Sequence, residues 1–181
     1  NIVAGAISVA EYLELNDNDR LLTVLPLSFD YGMNQLTTMF LVGGCAVLMN
    51  HLFPKDIITL LEKEKITGLA GVPPLWIQLT QLHWPNSITE HLRYITNSGG
   101  HMPKETLTLL RKLLPKTKPY LMYGLTEAFR STYLPPSEID KRQDSMGKAI
   151  PNAEILVVRP DGTPCEPEEP GELIHRGVHV S

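Results

Sequence analysis

Five short apolar runs separated by helical patterns constrain this chain more than any other feature. "RLLTVLP", "CAVLMN", "ITGLAGV", "LRYITNS" and "PYLMY" are near-continuous in apolar residues rather than alternating. Strands covered on both faces read this way, whereas half-exposed strands alternate. The spacing predicts helices over 2–14, 31–42 and 54–65, from Pro73 or Pro74 to 82, and over 103–114. Asn1 stands where an N-cap belongs, and Pro54 suits a first helical turn. Strand and helix in alternation predict an α/β class, a mostly parallel sheet with flanking helices.

With 181 residues the chain can bury a substantial core, and 43% hydrophobic with 20% charged residues excludes wholesale disorder. The net charge of -4, with no long block of Lys and Arg, argues against a nucleic-acid face. The most apolar stretch, "LTTMFLVGGCAVLM", is too short for a membrane span and reads as a buried helix, a turn and a buried strand. The N-terminus carries no signal-peptide pattern. Cys45 and Cys165 lie far apart, so a reduced, cytoplasmic chain is the simplest reading and one disulfide the alternative. The six histidines show no metal-ligand spacing.

From about Gln143 the texture changes. A β-like run, a Pro-Asp-Gly turn, an acidic loop punctuated by prolines and a second β-like run read as a hairpin. Residues 1–142 are therefore expected to form an α/β unit, and residues 143–181 the start of a β-rich one.

Parallel sheets bind ligands beyond the carboxyl ends of their strands. That rule singles out "PLSFDYG", "GVPP", "NSGGHMP" and "YGLTE". Gly99-Gly100 either makes a plain strand-to-helix turn or lets backbone approach a flat ligand. Phe29 and Asp30 fall at the mouth of the first strand, with Gly32 expected to permit a tight turn. Asp30 either caps the following helix or faces a cationic ligand group. In "YGLTE" the Tyr123 ring suits a purine face, the Thr126 hydroxyl a phosphoryl oxygen, and Glu127 a phosphate-bound Mg²⁺. The bland alternative is a strand end with Thr126 and Glu127 opening a helix.

Together these segments resemble the AMP-forming acyl-CoA synthetases and adenylating enzymes. "YGLTE" is similar to their Tyr-Gly-x-Thr-Glu motif, "LPLSFDYG" to Leu-Pro-Leu-x-(His/Phe)-x-x-Gly, "NSGGHMP" to the adenine-side Ser-Gly-Gly turn, and "GELIHRG" to Gly-Glu-Leu-x-x-Arg-Gly. The four stand in family order and span most of the chain. The longer "MYGLTEAFRSTYLPP" also resembles acyl-CoA ligases associated with exosortase gene clusters.

The resemblance implies a nucleotide site of Ser98, Gly99, Gly100, His101, Met122, Tyr123, Gly124 and Thr126, with Tyr123 on adenine and Thr126 on the α-phosphate. It implies Thr126 and Glu127 as the catalytic pair, Glu127 holding Mg²⁺, and an acid pocket of Phe29, Asp30, Val72 and Pro73. Residues 171–177 would be structural. The implied chemistry uses ATP and Mg²⁺ to turn a small carboxylic acid, in fatty-acid metabolism for example, into an acyl-AMP. CoA, or the phosphopantetheine of an acyl carrier protein, then accepts the acyl group. Asp30 speaks for an amine-bearing acid, as in peptide-synthetase adenylation domains; "LMYGLTE" speaks for an acyl or aryl acid, the preferred reading. A non-catalytic nucleotide-binding module is the alternative of another class.

The family's phosphate loop, its Thr-Gly-Asp and its late catalytic lysine have no counterpart in this sequence. The chain is therefore expected to be the middle of a larger enzyme, without turnover alone and self-associating through uncovered apolar faces.

Overall fold

The computed structural model describes residues 1–50 and 53–180; Ser181, the expected end of the second unit, lies outside them. The alternation becomes α1 (Ile2–Tyr12), β1 (Arg20–Thr23), α2 (Asp30–Val42), β2 (Cys45–Leu48), α3 (Pro54–Lys63), β3 (Gly68–Gly71), α4 (Pro73–Leu79), the short α5 (Ile88–His91), β4 (Tyr94–Asn97), α6 (Lys104–Leu113) and β5 (Lys118–Tyr123). Strands β1 to β5 pair in parallel. Two strands absent from the sequence reading extend the sheet: β6 (Thr132–Leu134) pairs antiparallel with β5, and β7 (Lys148–Ala149) antiparallel with β6. The sheet order is β2-β1-β3-β4-β5-β6-β7. A separate antiparallel pair, β8 (Ala153–Val158) and β9 (Glu172–Gly177), is the expected hairpin, and its Pro-Asp-Gly turn closes with Gly162 at φ 86°.

The centre of the sheet is buried on both faces. Leu22, Leu69 and Trp76 are fully buried, and each such side chain stabilises the fold by roughly 1.5–3 kcal/mol. Helices α3 and α6 carry acidic residues in the first turn and basic ones in the last, matching the helix dipole. No helix among the described residues is long and apolar enough to cross a membrane.

Several local expectations need correction. Strand β2 is an exposed edge rather than a buried strand, with Leu48 at 67% exposure, because only β1 covers it. Gly32 lies inside α2 instead of a turn, and what its missing Cβ provides is room for the Pro26 carbonyl. The turn belongs to Gly43, which ends α2 at φ 73°. Asn1 occupies the N-cap of α1 without a side-chain cap bond. Both cysteines are free.

Candidate active site

Each parallel strand ends on the same side of the sheet, and the four singled-out segments follow β1, β3, β4 and β5 there. Between the last two lies a cleft of about 370 Å³. Residues 97–102 form one wall, 121–124 the other, and 143–146 close it. Thr132 Oγ1 donates to the Met146 carbonyl at 2.7 Å, which ties the closing segment to β6.

This cleft brings together Ser98, Gly99, Gly100, His101, Met122, Tyr123 and Gly124. Gly99 has φ 74°, a conformation that a side chain would strain. A Cβ there would touch Val72 and Phe29, and one on Gly100 would press on Pro73 at 3.1 Å. Phe29, Val72 and Pro73 thus back the double glycine, so the residues expected for acid and nucleotide meet at one turn.

Tyr123 pairs with Thr132 across the β5–β6 hairpin, and the hairpin loop carries "GLTEAFRS". Thr126 and Glu127 do not open a helix; they sit exposed on a single 3-10 turn spanning Thr126–Ala128. The loop folds back because Gly124 lets the Phe129 carbonyl approach to 2.6 Å of where a Cβ would stand. Ser131 N–H then donates to the Tyr123 carbonyl at 2.9 Å. At Phe129 the backbone takes φ 50°, ψ -81°, a sparsely populated conformation that costs of order 1–3 kcal/mol.

Asp30 does not cap α2. The N-cap is Phe29, Asp30 lies in the first turn, and its carboxylate faces Arg130 Nη1 at 3.8 Å. Sequence reasoning missed Arg130. Its side chain is 2% exposed, and its guanidinium lies over the Tyr31 ring at 4.6 Å and the Phe129 ring at 5.4 Å. Tyr31 in turn shares a 2.5 Å hydrogen bond with Thr96 Oγ1, and burial pushes its phenol up to about 12. The one available signal was the cation itself, placed in an apolar loop beside the catalytic-type motif.

The donor set fits an adenine nucleotide. Two glycines leave one cleft wall open to a flat ring, an aromatic side chain lines the other, and Asn97 Oδ1 is buried without a partner among the described residues. No described group of three or more His, Cys, Asp or Glu could hold a metal by itself.

A cleft at the carboxyl ends of a parallel sheet is where open α/β domains take their ligands. The chain belongs to the AMP-binding enzyme family, whose model matches residues 1–181. It is 30% identical over 180 residues to the indoleacetate–CoA ligase of Aromatoleum aromaticum, covering 97% of this chain and 35% of the relative. Against the 2-succinylbenzoate–CoA ligase of Bacillus subtilis the identity is 30%, over 97% of this chain and 35% of the relative. The Bacillus subtilis O-succinylbenzoate coenzyme A synthetase, solved with ATP and magnesium ion, superimposes with a TM-score of 0.88 at 27% identity, over 99% of this chain and 37% of that one. VinN solved with L-aspartate gives 0.86 at 28% identity, over 99% and 44%. The chain thus spans about a third of the length of these curated relatives.

Proposed function

We propose that the protein containing this chain is an ATP-dependent acid–thiol ligase. It activates a carboxylic acid as an acyl-AMP and passes the acyl group to CoA or to a carrier phosphopantetheine. The observation that carries this reading is the cleft that gathers seven expected nucleotide residues, with Phe29, Val72 and Pro73 directly behind its double glycine. Relatives named as ligases joining indoleacetate, 4-coumarate and 2-succinylbenzoate to CoA support the reaction class.

In this reading Tyr123 stacks on adenine against the Gly99-Gly100 backbone. Thr126 donates to the α-phosphate, and Glu127 holds Mg²⁺, which neutralises charge on the phosphates. The acid carboxylate attacks the α-phosphorus, a P–O bond forms, and pyrophosphate leaves with its electron pair. The thiol then displaces AMP. Of residues 143–181, expected as a second unit, the β8–β9 hairpin forms that unit while β7 stays with the main sheet, and the exposed apolar side chains of α1, α2 and β2, such as Val3, Phe40 and Leu48, are covered by other parts of the protein or by self-association. Mg²⁺ and a cytoplasmic setting belong to the same reading.

ATP–pyrophosphate exchange on the full-length protein, run with a panel of fatty, aryl and amino acids, tests it. Exchange should depend on one acid class and fall at limiting Mg²⁺ in Glu127→Ala by on the order of 100-fold. Unchanged exchange in that variant would remove Glu127 from the metal. A second reading, an amine-bearing acid held by Asp30, is favoured by one observation, the partly buried carboxylate at the start of α2. Exchange driven by an amino acid and lost in Asp30→Ala would select it.

A further inference from the structure

Arg130 differs from Arg20, Arg93 and Arg159 in what its inner edge meets. Arg93 closes its Nε–Nη2 edge on Asp19, at 3.3 and 2.7 Å. Arg159 closes the same edge on Glu169, at 2.7 and 2.5 Å. Arg20 directs Nε to the Glu64 carbonyl and Nη2 to the Glu64 carboxylate. Arg130 is the most buried of the four, and its Nε and Nη2 have no partner among the described residues. Its contacts all fall on Nη1 and all are long: 3.8 Å to Asp30, 3.5 Å to Ser98 Oγ and 3.4 Å to the Phe129 carbonyl.

A buried guanidinium with two unpaired nitrogens is costly, and a planar carboxylate in bidentate contact is its best-matched partner. Tyr31 and Phe129 cover the guanidinium with their rings, so an incoming partner must approach an edge. Arg130 contacts Ser98, which lines the cleft, and Asp30, which adjoins Phe29 behind Gly99. We propose that the Nε–Nη2 edge of Arg130 receives a second carboxylate, carried by the acid that this site activates, so that the substrate is a dicarboxylic acid. This rests on the acid-activation reading above and deepens it. The reacting carboxylate is the poorer candidate for the edge, because a carboxylate clamped by a guanidinium in a low-dielectric site is stabilised as the anion and loses nucleophilicity.

Filling the edge requires local movement, since both nitrogens are shut off from solvent in this structure. The strained Phe129 backbone is the adjoining place for that movement. Asp30, fixed in the first turn of α2, holds the other side of Arg130 and keeps the cation from turning away.

The test is ATP–pyrophosphate exchange on the full-length protein with matched acids: an α,ω-dicarboxylate, its monoamide and the corresponding ω-amino acid, at short and medium chain lengths. The native protein should prefer the dicarboxylate by at least ~100-fold in kcat/KM. Arg130→Met should bring that ratio close to one, through KM for the dicarboxylate. Arg130→Lys keeps the charge without the planar fork and should lose at least ~10-fold of the preference. Native preference for the monoamide, or an unchanged ratio in Arg130→Met, would overturn the proposal. Preference for the amino acid would overturn it too and give the role to Asp30. No exchange with any acid would sink the acid-activation reading itself, and this inference with it.

Discussion

The two ends of the parallel sheet each hold a partly buried carboxylate–arginine pair, built to different standards. At the amino end Asp19, Thr67 and Arg93 immediately precede β1, β3 and β4. Asp19 accepts from Thr67 Oγ1 at 2.7 Å, from Asn16 N–H at 3.0 Å and from both Nε and Nη2 of Arg93, whose Nη1 donates to the Leu13 carbonyl at 2.9 Å. At the carboxyl end Asp30, Ser98 and Arg130 follow β1, β4 and β5, and their shortest mutual contact is 3.5 Å. The amino end satisfies its Asp19 carboxylate within the chain, and only the buried Tyr94 hydroxyl beside Gly68 is left there without a partner among the described residues. The carboxyl end leaves hydrogen-bonding capacity unspent, on the side where parallel sheets take ligands. A fully paired buried group needs nothing more, whereas incomplete pairing in a buried place calls for a further partner.

The largest effect expected from this contrast is Asp19→Asn. Breaking a buried pair leaves Arg93 uncompensated, and urea unfolding of the full-length protein should show a loss of about 2–3 kcal/mol, below the usual range because Arg93 is 29% exposed. Acid selectivity should not change. Arg130→Met should do the reverse, staying within about 1 kcal/mol of native stability, since an apolar side chain replaces an incompletely paired ion. A loss as large as that of Asp19→Asn would erase the distinction between the two ends.

Gly5→Ala probes the support of Arg130 from α1. A Cβ at Gly5 would overlap the Phe129 ring, and overpacking costs typically about 1–3 kcal/mol, offset by about 1 kcal/mol of helix propensity. A net loss of about 1 kcal/mol with weakened acid selectivity is expected; full selectivity would show that Phe129 does not position Arg130.

The smallest effect concerns the docking of the β8–β9 hairpin. His175 Nδ1 and Ser131 Oγ lie 3.0 Å apart, and His179 Nε2 and Ser8 Oγ 2.9 Å apart. Burial holds both imidazoles below the ordinary histidine value of 6.5, and the neighbouring His175 charge lowers His179 further. The unfolded chain therefore binds protons first as pH falls. The histidine contribution is fully present above about 6.5 and is lost as pH drops below it towards the folded values. The urea midpoint should decline across that window, and less steeply in His179→Asn; equal slopes would remove this pair as the cause.

Much of this arrangement was legible in the sequence because one kind of signal dominated. Apolar runs with helical spacers gave β1 to β5 and their helices, and the segments ending those strands supplied the cleft residues from Ser98 to His101 and from Met122 to Gly124. What escaped has physical reasons. Strands β6 and β7 are three and two residues long, too short for a period-2 pattern. "CAVL" has the composition of a central strand, and only the topology makes it an edge. Arg130 stands in a loop, where an arginine ordinarily reads as solvent-exposed. Its burial depends on Tyr31, Phe129 and Asp30 converging from two distant segments, a fact that no local pattern carries.

The central claim is that the carboxyl-end cleft between residues 97–102 and 121–124 takes the adenine nucleotide. Calorimetric titration of Mg·ATP into the full-length native protein and Tyr123→Ala tests it most directly. Loss of the stacking ring should weaken binding by about 10- to 100-fold with the urea midpoint unchanged. Equal affinity in the two proteins would place the nucleotide elsewhere and contradict the account.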